Sequence, residues 1–194
     1  MIKTKIGYSI LFALLISTLT FNINTAFSQE TPVIYVDPST ITGLAPSQTF
    51  TIEVKVANIT DFYGVDIQFK WDPSILEYVS HTAKIPVETY PDGILHEPGI
   101  TIMDTVDPVA GTYWAAYACM DPAPVFDGTG IAFNMTFTVI DIGRCLLEIY
   151  GSQLSDKGGK PIIHDVQNGY FSNYVPSEAK ISVSPQSIIN PALV

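Results

Sequence analysis

Basic residues are scarce in this chain. Its 194 residues include nine lysines and arginines, with Arg144 the single arginine, against 19 acids, for a formal charge of −10. Nucleic-acid binding requires a basic patch to neutralise phosphates, so that class is excluded first. Histidine is equally sparse. His81, His96 and His164 stand far apart, and none shows a metal-ligand spacing such as H-E-x-x-H. A nucleophile elbow of the form G-x-S-x-G, a phosphate-binding loop and a dinucleotide fingerprint are all missing. The carboxylates fall in turn-rich segments, where solvated turn rims describe them better than a glycosidase pair. The chain reads as non-catalytic.

Charged residues make up only 14% and hydrophobic ones 47%, which excludes a disordered polar chain. Cysteine is limited to Cys119 and Cys145. In an exported chain two cysteines form one disulfide or remain two buried thiols, and spacing alone leaves both open. Beyond the N-terminus no run of ten or more residues has helical spacing, whereas 14 prolines and 13 glycines punctuate short segments.

Residues 1–28 are read as a secretory signal peptide. Lys3 and Lys5 precede an apolar run from Ile6 to Phe21, and Ala26-Phe27-Ser28 supplies small residues before a cleavage point at Gln29. An uncleaved anchor is the alternative, since the apolar run approaches a membrane-spanning length. Either reading exports the remainder. Without Lys3 and Lys5, 19 acids face seven bases, a charge of −12 that keeps a protein soluble and names no ligand. The sequons at Asn58 and Asn134 are compatible with glycosylation outside the cell.

What is abundant is alternation. Phe50, Ile52, Val54 and Val56 alternate with polar partners, as do Val65, Ile67, Phe69 and Trp71, and Ile131, Phe133, Met135, Phe137 and Val139. Less regular strands are expected at 34–37, 76–80, 100–104, 112–119, 145–150 and 162–171. Turn signals at 43–46, 91–93, 107–108, 127–128 and 156–159 separate them. The pattern predicts an antiparallel β-sandwich of about nine strands. Trp71 shares the parity of Val65, Ile67 and Phe69 and is assigned to the core. Asp72-Pro73 is assigned to structure, as a ladder stop with a capping side chain, before Leu76 re-enters the core.

A short repeat links the two ends. Ile34-Tyr35-Val36-Asp37-Pro38-Ser39-Thr40-Ile41 matches Ile181-Ser182-Val183-Ser184-Pro185-Gln186-Ser187-Ile188 as I-x-V-x-P-x-[ST]-I, one domain length apart. The expected organisation is a signal peptide at 1–28, a domain at 29–173, and a linker with the start of a second module at 174–194. Two ligand classes are weighed on the residues. Asp104, Asp107, Asp121 and Asp127 lie near turns and offer the oxygens calcium prefers, but no calcium-loop motif is present, and the expectation is no metal or cofactor. Tyr63, Tyr78, Tyr90, Tyr113, Trp114, Tyr117 and Tyr150 are candidates for a sugar-stacking platform; within 113–117 the tyrosines share one face and Trp114 the other.

Residues 64–79, GVDIQFKWDPSILEYV, resemble the signature of cohesin domains, in which a strand ends in aromatic-Asp-Pro-x-x-Leu. Cohesins are the receptor modules of cellulosome scaffold proteins. The opening I-x-V-x-P, the strand from Gly43 to Val54, the strand Gly128 to Val139, the turn from Leu154 to Ile162 and Gly169 follow the same plan, so the resemblance covers residues 33–173. It implies a nine-stranded, jelly-roll-like sandwich akin in fold to family 2 and 3 carbohydrate-binding modules. It also implies docking of a dockerin, a small paired calcium-loop module, onto one sheet face. The position six before the Asp of aromatic-Asp-Pro can contact the partner in cohesins, and here it is Asp66, with Gln68 and Lys70 beside it as rim contacts. Gly64 departs from the pattern, standing where some cohesins carry a polar contact. The expected function is a secreted or cell-surface, non-catalytic cohesin-like module that binds a dockerin-like protein within a multi-domain protein linked to polysaccharide use. A carbohydrate-binding module and an architectural surface-layer repeat are the alternatives.

Overall fold

A computed structural model describes residues 30–174. The signal segment expected at 1–28 and the repeat copy at 181–188 lie outside the described residues. Ten strands and no helix occur among them: β1 (Val33–Asp37), β2 (Thr40–Thr42), β3 (Thr49–Lys70), β4 (Leu76–Ala83), β5 (Gly99–Asp107), β6 (Thr112–Cys119), β7 (Phe126–Val139), β8 (Arg144–Asp156), β9 (Asp165–Gln167) and β10 (Gly169–Ser172).

The two alternating runs expected as separate strands, at 50–56 and 65–71, are one 22-residue strand, β3. Their inward positions switch from even numbers (Ile52, Val54, Val56) to odd ones (Val65, Ile67, Phe69). A change of parity reads in sequence as a break, but extra residues in bulges flip the face without ending the strand. Three register shifts lie between Val54 and Phe62, and Asn58 (φ 58°) and Asp61 (φ 55°) adopt left-handed backbone there. Asn and Asp tolerate that region best among residues with a side chain. Asp127 Oδ1 accepts the Asp61 N–H at 2.7 Å and ties the kink to the start of β7. Asp127-Gly128, expected as a turn, therefore lies inside β7, where Gly128 (φ 122°) absorbs the irregularity.

The first half of β3 pairs with β1 and β7, and the second half with β6 and β8. β4 extends β7, and β5 extends β6. β9 lies parallel beside β1, while β10 runs antiparallel to β8 and parallel to β2. The sheet is thus antiparallel except for these two short parallel pairs, which the sequence reading did not foresee. Rings from the two halves meet across the interior. Phe133 of β7 packs on Phe69 (centroids 5.9 Å) and Tyr113 (4.8 Å), Phe137 on Trp71 (5.2 Å), and Phe50 stacks on Phe171 at 5.4 Å. In the first copy of the terminal repeat, Ile34, Val36 and Ile41 are all buried, so the matched apolar positions are core positions.

Asp72-Pro73 behaves as expected of a structural stop. Asp72 Oδ1 accepts the Ser74 N–H at 2.8 Å and the Ser74 hydroxyl at 2.6 Å, and Leu76 is buried. Trp71, buried as expected, donates its backbone N–H to Gly111 O at 2.9 Å. Gly111 (φ 68°) cannot be replaced cheaply, because a Cβ there would lie 2.4 Å from Trp71 O.

The disulfide alternative is excluded. Cys119 and Cys145 are both buried free thiols at opposite ends of β3's second half. Cys119 follows Ala118, the partner of Gly64, whereas the Cys145 thiol accepts the Asp72 N–H at 3.1 Å. The eight steps from residue 64 to residue 72 correspond to about 25 Å of strand, several times a disulfide's Cα separation. Burial raises both thiol pKa values, Cys145 to about 11. Two outcomes are expected. Thiol titration will find both cysteines unreactive in the native protein and two reactive thiols per chain in denaturant. Phe133→Ala will cost about 3–5 kcal/mol in chemical denaturation, because it leaves a cavity between the two halves.

Candidate functional site

Since Val65, Ile67 and Phe69 point inward, Asp66, Gln68 and Lys70 point outward, as the alternation predicts. The register places Gln68 between Trp114 on β6 and Gly151 on β8, Asp66 between Ala116 and Gln153, and Lys70 between Thr112 and Glu148. The outer face of β8-β3-β6-β5 therefore gathers all three expected contact residues.

Each has a local partner that sequence could not supply. The Trp114 indole N–H donates to Asp66 Oδ1 at 2.9 Å, so the ring reaches along the sheet toward the neighbouring strand. Lys70 pairs with Glu148 at 2.9 Å and lies 5.5 Å from the centre of the Tyr150 ring. Gln68 packs over Gly151, where an added Cβ would stand 3.4 Å from it. Trp114 is 41% exposed and Tyr150 45%, two large rings flanking a polar centre. Toward the Gly64 end the outward residues become small: Gly64, Ala116, Ala118 and Ser155. There the face sinks into a depression of about 650 Å³, with Ile102 and Ile163 at its borders.

Of the seven candidate platform aromatics, Tyr113 and Tyr117 are buried inside, and the parity argument correctly turned Trp114 outward. Tyr78 bonds to His81, while Tyr63 and Tyr90 face Lys157 and Lys84. That leaves Trp114 and Tyr150 on this face; exposed Tyr170, on β10 opposite Leu146, lies off their line.

The histidines and the calcium candidates have structural partners. His81 links Tyr78 (Nδ1, 2.7 Å) to Asp104 (Nε2, 2.9 Å), and the Tyr113 hydroxyl also donates to Asp104, at 2.8 Å. Burial opposes ionisation of Asp104, but the nearby Tyr117 hydroxyl, His81 and Tyr113 together hold its carboxyl below the ordinary value. The Tyr117 hydroxyl is buried outside strict bonding geometry and acts through proximity. His96 bonds to Glu88 at 2.7 Å, and His164 joins Ser152 Oγ at 2.8 Å to Ile162 O at 2.8 Å. Asp107 caps the turn at Val109 and Ala110, Asp127 holds the β3 kink, and Asp121 lies 3.4 Å from Lys157. Among the described residues no group of three or more His, Cys, Asp or Glu side chains could hold a metal ion. Asn58 sits in the β3 kink, and Asn134 lies mid-strand on β7 between Glu53 and Thr82.

A family model described as "Cohesin domain" matches residues 34–141. Among solved structures, the sixth cohesin of scaffoldin B from Acetivibrio cellulolyticus, in complex with a Cel5 dockerin mutant, is similar at 18% identity and TM-score 0.56, covering 75% of this chain and 100% of that one. A non-cellulosomal cohesin from the hyperthermophilic archaeon Archaeoglobus fulgidus aligns at 16% identity and TM-score 0.58, covering 77% and 96%. A type I cohesin–dockerin complex from Clostridium thermocellum, Coh-OlpA with Doc918, aligns at 14% identity and TM-score 0.57, covering 75% and 100%. No curated protein matches the chain.

The Asp104 cluster yields a pH expectation. Because its folded pKa is depressed below the ordinary 3.8, the ionised carboxylate stabilises the fold above that value. The contribution is lost as pH falls through the lower folded pKa. Asp104→Asn will therefore lower the melting temperature at pH 7 and flatten the stability decline below about pH 4, as followed by thermal denaturation across an acid series.

Proposed function

The chain belongs to the cohesin family, and on that premise we propose that it is a docking module whose β8-β3-β6-β5 face receives a dockerin-like protein. A cohesin domain is a non-catalytic protein-binding module. The observation that carries the reading is the Asp66–Trp114 pair at the centre of that face. Binding hot spots concentrate in aromatic residues near the centre of an interface, ringed by contacts that exclude water. Trp114 has that position, with its indole held by a carboxylate and with Gln68, Lys70 and Gln153 around it. Two of the similar structures are complexes with dockerins, which supports a dockerin-like partner.

The surrounding biology belongs to the same proposal. The signal-like segment at 1–28 supports export, and the I-x-V-x-P copy at 181–188 supports a multi-domain protein. A role in polysaccharide use at the cell surface is the part of this proposal that rests on the family resemblance alone. Direct sugar binding has less support, because Trp114, Tyr150 and Tyr170 do not line up as a stacking row across the strand register.

The test is calorimetric titration of the protein with each recombinant dockerin module encoded in the genome of its source organism. Wild type is expected to bind at least one, with Asp66→Arg and Trp114→Ala each weakening that complex tenfold or more, about 1.4 kcal/mol. Absence of binding to every dockerin, or equal binding by wild type and Asp66→Arg, would overturn the reading and favour an architectural repeat.

A further inference from the structure

Gly64 lies one outward position before Asp66 on β3, at the end of the face where the side chains become small. Gly64 pairs with Ala118 on one side and Ser155 on the other, and Ala116 lies one outward position further along β6. Four small residues in adjoining outward positions make the floor of the 650 Å³ depression. Its borders are apolar and project into solvent: Ile102, at the β5 bulge, is 62% exposed, and Ile163, beyond β8, is 82% exposed. Isolated exposed apolar residues are ordinary; here two of them rim the same depression.

We infer that Gly64 is a specificity-determining residue, and that the depression over it takes a bulky branched or aromatic side chain from a helix of the docked partner. This rests on the docking reading above. Three observations point to a helix of a protein partner. From Ile102 on β5 across β6 and β3 to Ser155 on β8 the depression spans three inter-strand spacings or about 14 Å, enough to seat a helix of about 10–12 Å diameter. The depression is continuous with the Asp66–Trp114 centre of the face, since Asp66 also lines it. Charge favours a partner with a basic or hydrogen-donating residue beside the apolar one, because among the described residues Lys70 is paired with Glu148 while Asp66 receives a neutral indole N–H.

The absence of a side chain at 64 is what keeps the floor open. A Cβ there would come 2.7 Å from Ser155 Oγ and 3.7 Å from Ala118 Cβ. The serine hydroxyl can rotate away, so substitution fills the depression without disturbing the core beneath.

The experiment uses the full chain and whichever source-organism dockerin module wild type binds most tightly. Gly64→Leu is expected to weaken binding at least thirtyfold and Gly64→Ala about threefold, while Glu77→Leu, exposed on β4 outside the proposed docking face, stays within twofold. Truncating the partner's apolar helix residue to alanine is expected to restore much of the loss with Gly64→Leu. Circular dichroism and melting temperature confirm that each variant is folded. If wild type binds a dockerin and folded Gly64→Leu binds it equally well, or if Glu77→Leu is as damaging, the depression is not the determinant and the inference falls while the docking reading stands. If wild type binds no dockerin, the docking reading fails and this inference fails with it.

Discussion

A single strand shared by two halves of the sheet constrains everything else in this domain. β3 pairs with β1 and β7 along its first half and with β6 and β8 along its second, so every large ring in the interior is positioned by reference to it. Its kink at 57–62 reverses which parity points inward. Without that reversal Ile67 and Phe69 would face water while Asp66, Gln68 and Lys70 were buried, which no arrangement of nearby charges could offset. The kink is held by left-handed Asn58 and Asp61 and by the Asp127 carboxylate. The inner core and the outer face carrying Asp66, Gln68 and Lys70 are thus two sides of one constraint.

The same constraint separates the polar residues into two kinds. Those turned toward the interior's edge are bonded to one another, as in the His81–Asp104–Tyr113 cluster, and hold β4, β5 and β6 together. Those on the outer face are bonded just enough to be oriented. Asp66 is met by one indole N–H, Lys70 by one carboxylate and one ring. A face of this kind has little rotamer freedom left to lose when a partner covers it, and orienting side chains before binding lowers the entropic cost of association.

Alternation carries much of this in the linear chain. It placed Trp71 in the core, turned Trp114 outward and set Asp66, Gln68 and Lys70 on one face, because side-chain direction in a strand has a period of two whatever the strand pairs with. The Asp72-Pro73 stop was legible for a similar reason: missing donors and side-chain caps act within a few residues. Other features escaped. The continuity of β3 was hidden because bulges imitate a break in the pattern. The parallel pairs β1–β9 and β2–β10 join segments more than 120 residues apart and leave no local trace. The depression over Gly64 was invisible because its floor is assembled from β3, β6 and β8.

Taken alone, the sequence determined the class of structure, an all-β domain, and which side of each regular strand is apolar. It also marked the segment around Asp66 as the one to watch. These are properties of local periodicity and composition, which the linear chain contains in full. Only the tertiary structure decided that Cys119 and Cys145 stay apart as thiols, that Asp66 holds Trp114, and that Gly64 opens a space between two exposed isoleucines. Those are distances between residues far apart in the chain, and strand register, bulges and crossovers decide them rather than any residue's own preference.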